Sequence, residues 1–284
     1  MTVRINTQKP PTQLPLKIFR FFFILVTVLI SLFPILWVIM SSFKTNAEIL
    51  NSGISLPTSF AFTGYEQALA ISPILNYFYN SIFVSVVATF FNLLVAGLAA
   101  YIFARLRFKF RDVLFTLLMT SMVIPMTALI QPVYALLTSL KLTDSFTGLI
   151  LVYAALNLPM SLMILRTAFQ GIPQSLEDAA YVDGAGFLRT AFTIILPAAK
   201  AGVSSAAVLA FLNNWNEFTF ALILTSSPRV RTLPLSLNYF TSQFSFNYTA
   251  LFAAITIAVI PSIIVFAIFQ EQVVTSMTAG ATKG

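Results

Sequence analysis

The sequence contains no cysteine and no histidine among its 284 residues, and only 9% of the residues are charged, 16 Lys and Arg against 9 Asp and Glu. Each shortage excludes something. Without cysteine there are no disulfides or thiolate nucleophiles, and without histidine the usual zinc sites and His-based catalytic dyads and triads are missing. A soluble domain carries about a quarter of its residues as charges, so the charge deficit excludes an ordinary soluble protein. What is abundant is apolar surface: 58% hydrophobic residues, 29 of the 284 being Phe, with a mean hydropathy of +0.89. That is more than a single core buries, which makes lipid the second solvent.

A helix needs roughly 20 apolar residues to cross the hydrocarbon layer. Uncharged runs of that length predict six spans, near Phe21–Met40, Ser81–Ala104, Val113–Leu136, Phe146–Leu165, Ala201–Leu224 and Thr249–Phe269. The runs show no two-residue alternation, so the fold class is an all-α integral membrane protein rather than a β-barrel. The basic start (Arg4, Lys9, Lys17, Arg20) resembles a secretion signal, but the apolar run is too long and no small-x-small cleavage site follows, which predicts a retained anchor. Placing both termini on the cytoplasmic side puts 12 of the 16 basic residues in inner segments; only Lys44, Lys141, Arg229 and Arg231 fall outside. The positive-inside rule favours that orientation. The net charge of +7 is then an orientation signal and implies no nucleic-acid partner. The basic cluster from Arg105 to Arg111 reads as topology and anionic-lipid contact. Pro34, Pro125, Pro132, Pro159 and Pro261 predict kinks or broken helices. The outer segments Ser41–Asn80 and Thr225–Tyr248 are polar enough to form small structured caps.

The segments divide into an N-terminal tail (1–17), a transmembrane domain (18–284), an inner loop (171–199) and a C-terminal tail (270–284). The inner loop carries a signature. Ser175-Leu176-Glu177-Asp178 reads as a capping box, with Ser175 as cap and Asp178 answering it, at a helix start that favours acids. Ala179 and Ala180 extend this helix with little bulk, and Gly184 stands where a reversal with positive φ takes a glycine. A second helix, Phe187 to Ile195, ends at Leu196-Pro197. The expected shape is helix, turn and helix against the inner face, smooth enough for another protein to approach.

Asp178-Ala179-Ala180, three residues, Gly184, nine residues, Ile194, one residue and Leu196-Pro197 resemble the EAA motif of membrane subunits of ATP-binding-cassette importers, spacing included. The departure is Asp178, where that family most often has Glu; Glu177 stands beside it. The resemblance runs along nearly the whole chain, through Pro34-Ile35-Leu36-Trp37, Ser42-Phe43-Lys44, Asn80-Ser81, Ala104-Arg105-Leu106-Arg107-Phe108, Asn213-Asn214-Trp215-Asn216-Glu217-Phe218 and Thr278-Ala279-Gly280-Ala281-Thr282-Lys283-Gly284. Together these resemble the six-span permease of the maltose-type carbohydrate uptake family. The resemblance implies the type I importer fold, a second permease as heterodimer partner, two ATPase subunits, an extracytoplasmic solute-binding protein and a saccharide, in a prokaryotic plasma membrane. It implies that Glu177, Asp178, Ala179, Ala180, Asp183, Gly184, Ile194, Leu196 and Pro197 form the ATPase-coupling loop, and that Thr278, Gly280, Lys283 and Gly284 in the tail reach the ATPase; read alone, the tail is a frayed terminus. The chain lacks G-x-x-x-x-G-K-[ST], so ATP and Mg are expected on the partner ATPase subunits and no cofactor on this chain.

Glu217 is an ionisable residue inside an expected span, where a charge costs at least ~2.5–3.5 kcal/mol, so it must face protein or water. With Asn213, Asn214, Trp215 and Asn216 it offers two readings: polar joints between helices, or a lining for the substrate path. Three function classes compete. A permease subunit of an ATP-driven importer, for a sugar or another solute, accounts for the loop and the polar cluster. A secondary transporter needs intramembrane carboxylates, histidines or broken-helix ion sites, for which one Glu is thin. A membrane scaffold leaves both features unexplained.

Overall fold

The computed structural model describes residues 14–240 and 247–281. Among them every regular element is helical. The order is α1 (Leu14–Ser41), α2 (Asn46–Asn51), α3 (Thr63–Ile71), α4 (Ile74–Arg105), α5 (Arg111–Thr120), α6 (Met126–Ser139), α7 (Phe146–Leu156), α8 (Leu158–Gln170), α9 (Ser175–Val182), α10 (Phe187–Thr190), α11 (Leu196–Ala198), α12 (Lys200–Trp215), α13 (Thr219–Leu224) and α14 (Tyr248–Ala281).

Three of the expected spans are helices long and apolar enough to cross a bilayer alone: Leu16–Ser41, Ile74–Arg105 and Tyr248–Glu271. The other three are broken. α5 with its terminal 3-10 turn meets α6 at 103°, so the stretch expected as one span over 113–136 is not a straight helix. The cause is Pro125: it has no N–H to donate, and it holds the preceding Ile124 extended (ψ 121°), which ends a helix. α7 and α8 bend by 49° around Asn157, with Pro159 in the first turn of α8, where a missing N–H is harmless. The stretch 201–224 is α12 and α13, interrupted at Asn216-Glu217-Phe218. By contrast Pro34, Pro132 and Pro261 lie inside continuous helices.

α1 shows why lipid is needed. None of its most apolar stretch is buried, and Phe21, Phe22 and Phe23 point outward. The remaining helices close on three apolar clusters. One, around Tyr101, Leu165, Phe169 and Ile195, joins α4, α8 and the loop; a second, around Val84, Tyr153 and Phe220, joins α4, α7 and α13; a third, around Tyr77, Trp215 and Ala253, joins α4, α12 and α14. α4 takes part in all three and is the spine of the fold. A Cβ on Gly202 would overlap the Ala168 Cβ, so α12 and α8 meet backbone to backbone, as small residues allow in membranes.

The described parts of the outer segments are tied to the spans. The Asn80 amide donates to the Arg229 and Arg231 carbonyls, both at 2.9 Å, and the Leu233 N–H donates to Ser81 Oγ at 2.7 Å. Trp37 Nε1 and Lys44 Nζ both donate to the Gly53 carbonyl, at 2.6 and 3.0 Å, which straps the segment after α2 onto α1.

Candidate functional site

The loop between the fourth and fifth spans begins with α9. Its capping differs from the sequence expectation: Gln174 is the N-cap, no side chain caps the helix, and Ser175 already lies inside it. The start has moved back one residue because the Gln174 carbonyl accepts the N–H groups of both Glu177 and Asp178, at 2.9 and 3.0 Å. The helix end is as expected. Gly184 adopts φ +79°, with Ala185 N–H on the Ala180 carbonyl (2.9 Å) and Gly184 N–H on the Tyr181 carbonyl (3.0 Å), the paired bonds of a Schellman stop.

This start fixes which residues face where. Glu177 and Ala180 turn inward and are buried, whereas Asp178, Ala179 and Asp183 are exposed. The Glu177 carboxylate forms an ion pair with Arg105 and accepts the Tyr101 hydroxyl at 3.0 Å. Arg105 also donates to the Ile172 carbonyl at 2.8 Å. Arg105 therefore differs from the lipid-facing reading of the basic cluster; Arg111 instead pairs with its neighbour Asp112 at 3.0 Å. Outward, α9 shows Leu176, Tyr181 and Val182, the last 88% exposed. Beyond Gly184, α10 passes into a π turn (Ala191–Ile195) and then α11. Ala191 and Ile195 are buried, Ile194 and Leu196 pack on the same cluster, and Pro197 is exposed. An 85° bend leads into α12.

The second group of expected residues lies at the break between α12 and α13. The Glu217 carboxylate accepts the N–H groups of Phe220 and Ala221, at 2.7 and 3.0 Å, and the Tyr153 hydroxyl at 2.8 Å. It caps α13 from inside the chain, which is how a half-buried carboxylate is tolerated here. Asn214 is buried, accepting the Asn157 amide at 2.8 Å and donating to Thr89 Oγ1 at 3.1 Å. Asn213 donates to Asn157 Oδ1 at 2.9 Å, and Asn216 bonds back to the Leu212 carbonyl at 2.8 Å. Nearby, Ser161 donates to Asn92 Oδ1 at 2.6 Å. Trp215 turns away, stacking on Phe211, meeting Phe78 edge to face and donating to the Ala258 carbonyl at 3.0 Å.

Asn213, Asn216, Glu217, Asn157, Tyr153 and Thr127 line an open cleft of about 430 Å³, inside the size range of small-molecule sites. Trp215 does not line it. The two groups of residues stand apart, connected through α4, which carries Tyr101 and Arg105 at its end and Thr89 and Asn92 at its middle. Asn92, Asn157, Tyr153 and Tyr101 are absent from the sequence expectation, although lone amides within apolar spans were a signal for the two asparagines. Of the tail residues, Thr278 and Gly280 fall within α14, and Lys283 and Gly284 lie outside the described residues.

The family described as "Binding-protein-dependent transport system inner membrane component" matches residues 95–279. The chain belongs to that family. It is 35% identical over 269 residues to the sulfoquinovosyl glycerol transport system permease protein SmoH of Agrobacterium fabrum, covering 94% of each chain. With the trehalose/maltose transport system permease protein MalG of Thermococcus litoralis it shares 32% identity over 264 residues, 92% of this chain and 94% of that one. A crystal structure of a bacterial ABC transporter that imports the acidic polysaccharide alginate contains a chain of the same fold, with TM-score 0.79, 23% identity, and coverage of 93% of this chain and 99% of that one. This protein is thus an inner-membrane permease component of a binding-protein-dependent transport system. Permease subunits of this family are not themselves enzymes, and the ATPase activity lies in other chains.

Proposed function

We propose that this chain is one of two permease subunits of an ATP-driven importer for an uncharged di- or oligosaccharide handed over by an extracytoplasmic binding protein. Both termini are cytoplasmic in this reading, ATP and Mg are held by two partner ATPase subunits, and this chain binds no cofactor. The observation that carries it is the two-faced helix α9. Its inner face is fixed to the bundle by Glu177 and Ala180, while Leu176, Asp178, Ala179 and Val182 stand exposed on the loop. Exposed apolar side chains grouped in this way mark a protein contact, and here the contact is ATPase docking.

The cleft supports the solute class. Its described lining supplies amides, hydroxyls and the Glu217 carboxylate, and no Lys or Arg, which suits hydroxyl groups and disfavours an anionic sugar. The relatives' names cover acidic and neutral sugars alike, so the cleft chemistry is the discriminating feature. The test is copurification of ATPase chains from membranes, followed by binding-protein-stimulated ATP hydrolysis in liposomes across a panel of neutral and acidic sugars. Stimulation by neutral oligosaccharides alone is expected. An ATPase that never copurifies, or stimulation only by uronate or sulfonate sugars, sinks the reading.

A further inference from the structure

We propose that Arg105 and Tyr101 are positioning residues that lock α9 to the end of α4 through Glu177, so that the docking helix and the spine of the fold move as one body. The proposal rests on the reading of α9 as the ATPase-docking helix. Three observations carry it.

First, apart from the Tyr181 side chain, which also reaches Tyr101, α9 has little else to hold it. Of its eight residues only Glu177 and Ala180 are buried, and a single buried alanine gives no directional grip. Second, the grip that exists is polar and comes from several sides. The Glu177 carboxylate, 4% exposed, meets the Arg105 guanidinium on one oxygen and the Tyr101 hydroxyl on the other. The same guanidinium reaches the Ile172 carbonyl in the strand of chain leading into α9. The Tyr101 ring, 1% exposed, packs on Phe187 at 4.7 Å and on Phe169 at 6.4 Å, so one side chain touches the elements before and after the turn. A buried ion pair is a poor source of net stability, but it specifies register. Apolar surfaces slide over one another; a carboxylate with a guanidinium paired at one oxygen and a hydroxyl bonded at the other has one seat.

Third, α4 is suited to carry a displacement. It runs without a proline from Ile74 to Arg105, 32 residues, or about 48 Å at the helical rise. Midway it holds Thr89, which receives the Asn214 amide beside the cleft, and Asn92, which receives the Ser161 hydroxyl of α8. A push on α9 therefore reaches the cleft through one rigid helix, whose end is tied to the loop at the Glu177 seat and at the Ile172 carbonyl. Rigid-body motion of packed elements is the way such transitions are transmitted.

The test uses the complete reconstituted transporter. Arg105→Gln, and Arg105→Gln with Glu177→Gln, which removes the tie without leaving an orphan charge, are expected to retain both ATPase chains while binding-protein-stimulated ATP hydrolysis falls about tenfold or more, a typical coupling energy. Arg105→Lys should recover part of the loss, which a merely structural defect would not predict. Because the chain has no native cysteine, cysteines placed at positions 105 and 177 and joined by a short thiol-reactive linker should restore stimulation. Tyr101→Phe, which removes one oxygen, serves if the Arg105 variants do not fold, and is expected to lower stimulation in the same direction. Unchanged stimulation in the double neutral variant, or in Tyr101→Phe, overturns the proposal. So does a linked pair that assembles yet stays uncoupled. If the neutral variants shed the ATPase, Glu177 serves docking instead and the tie is refuted while the docking reading stands. If the unaltered complex holds no ATPase, it is the docking reading that fails.

Discussion

Glu177 in the loop and Glu217 at the helix break are the same residue type, the first buried and the second half-buried, and each accepts a tyrosine hydroxyl, at 3.0 and 2.8 Å. Their other partners differ. Glu177 takes a guanidinium from another helix, whereas Glu217 takes two backbone N–H groups of the helix that follows it. The first solution joins two elements far apart in sequence; the second holds open a break within one span. A cation fixes a distance between bodies, while a helix start fixes a local bend. The comparison teaches that a carboxylate inside the fold can be a structural tie: Glu177 is enclosed by its partners, whereas Glu217 caps α13 and still lines the cleft.

The comparison can be broken most strongly at Arg105. Arg105→Met leaves the Glu177 charge buried without its cation and is expected to cost ~3–5 kcal/mol, read as a large drop in the unfolding temperature of the detergent-purified chain. A near-zero change would mean that water, not Arg105, satisfies the carboxylate. Glu217→Ala strips two N–H groups of α13 and is expected to cost ~1–2 kcal/mol, with Glu217→Gln losing less because one oxygen remains. Equal losses from the two variants would show that charge, not capping, is the role of Glu217. Tyr153→Phe and Tyr101→Phe sharpen the contrast at about 1 kcal/mol each, Tyr101→Phe the smaller because Arg105 still holds its carboxylate. The reverse order in thermal melts contradicts this account.

The smallest effect concerns a third carboxylate, exposed and outside the spans. The Thr58 hydroxyl, then the Thr45 and Thr58 N–H groups, lower the Glu48 pKa from 4.5 to about 2. Because the folded value is depressed, Glu48 steadies its segment at and above pH 4.5, and that contribution disappears as the pH falls towards about 2. Trp37, bonded to the Gly53 carbonyl of the same strap, is the reporter. In a Trp215→Phe background its emission should titrate over that window, and Glu48→Gln should flatten the curve. A flat titration with Glu48 in place would show that its bonds are not formed in solution.

Much of the fold was legible. Long uncharged runs located the spans because a bilayer imposes a length on any helix that crosses it, and Gly184 announced its turn because positive φ is costly for other residues. The site was legible in part. Asn213, Asn216 and Glu217 were marked by their polarity in an apolar span, yet Trp215, one residue from Asn216, faces away from the cleft. Asn157 and Asn92 went unnoticed because their partners, Asn214 and Ser161, lie far along the chain.

The sequence by itself determined the solvent, the helical class and the place of the loop, since these follow from composition and from local backbone rules. Tertiary structure alone decided the rest. Each helical residue turns the side-chain direction by about 100°, so two adjacent acids cannot face the same way, and the packing of α9 on Arg105 and Tyr101 settles that Glu177 points in and Asp178 points out. Likewise the proline at 125 ends a helix while that at 261 lies inside one, a difference that residue type alone does not announce.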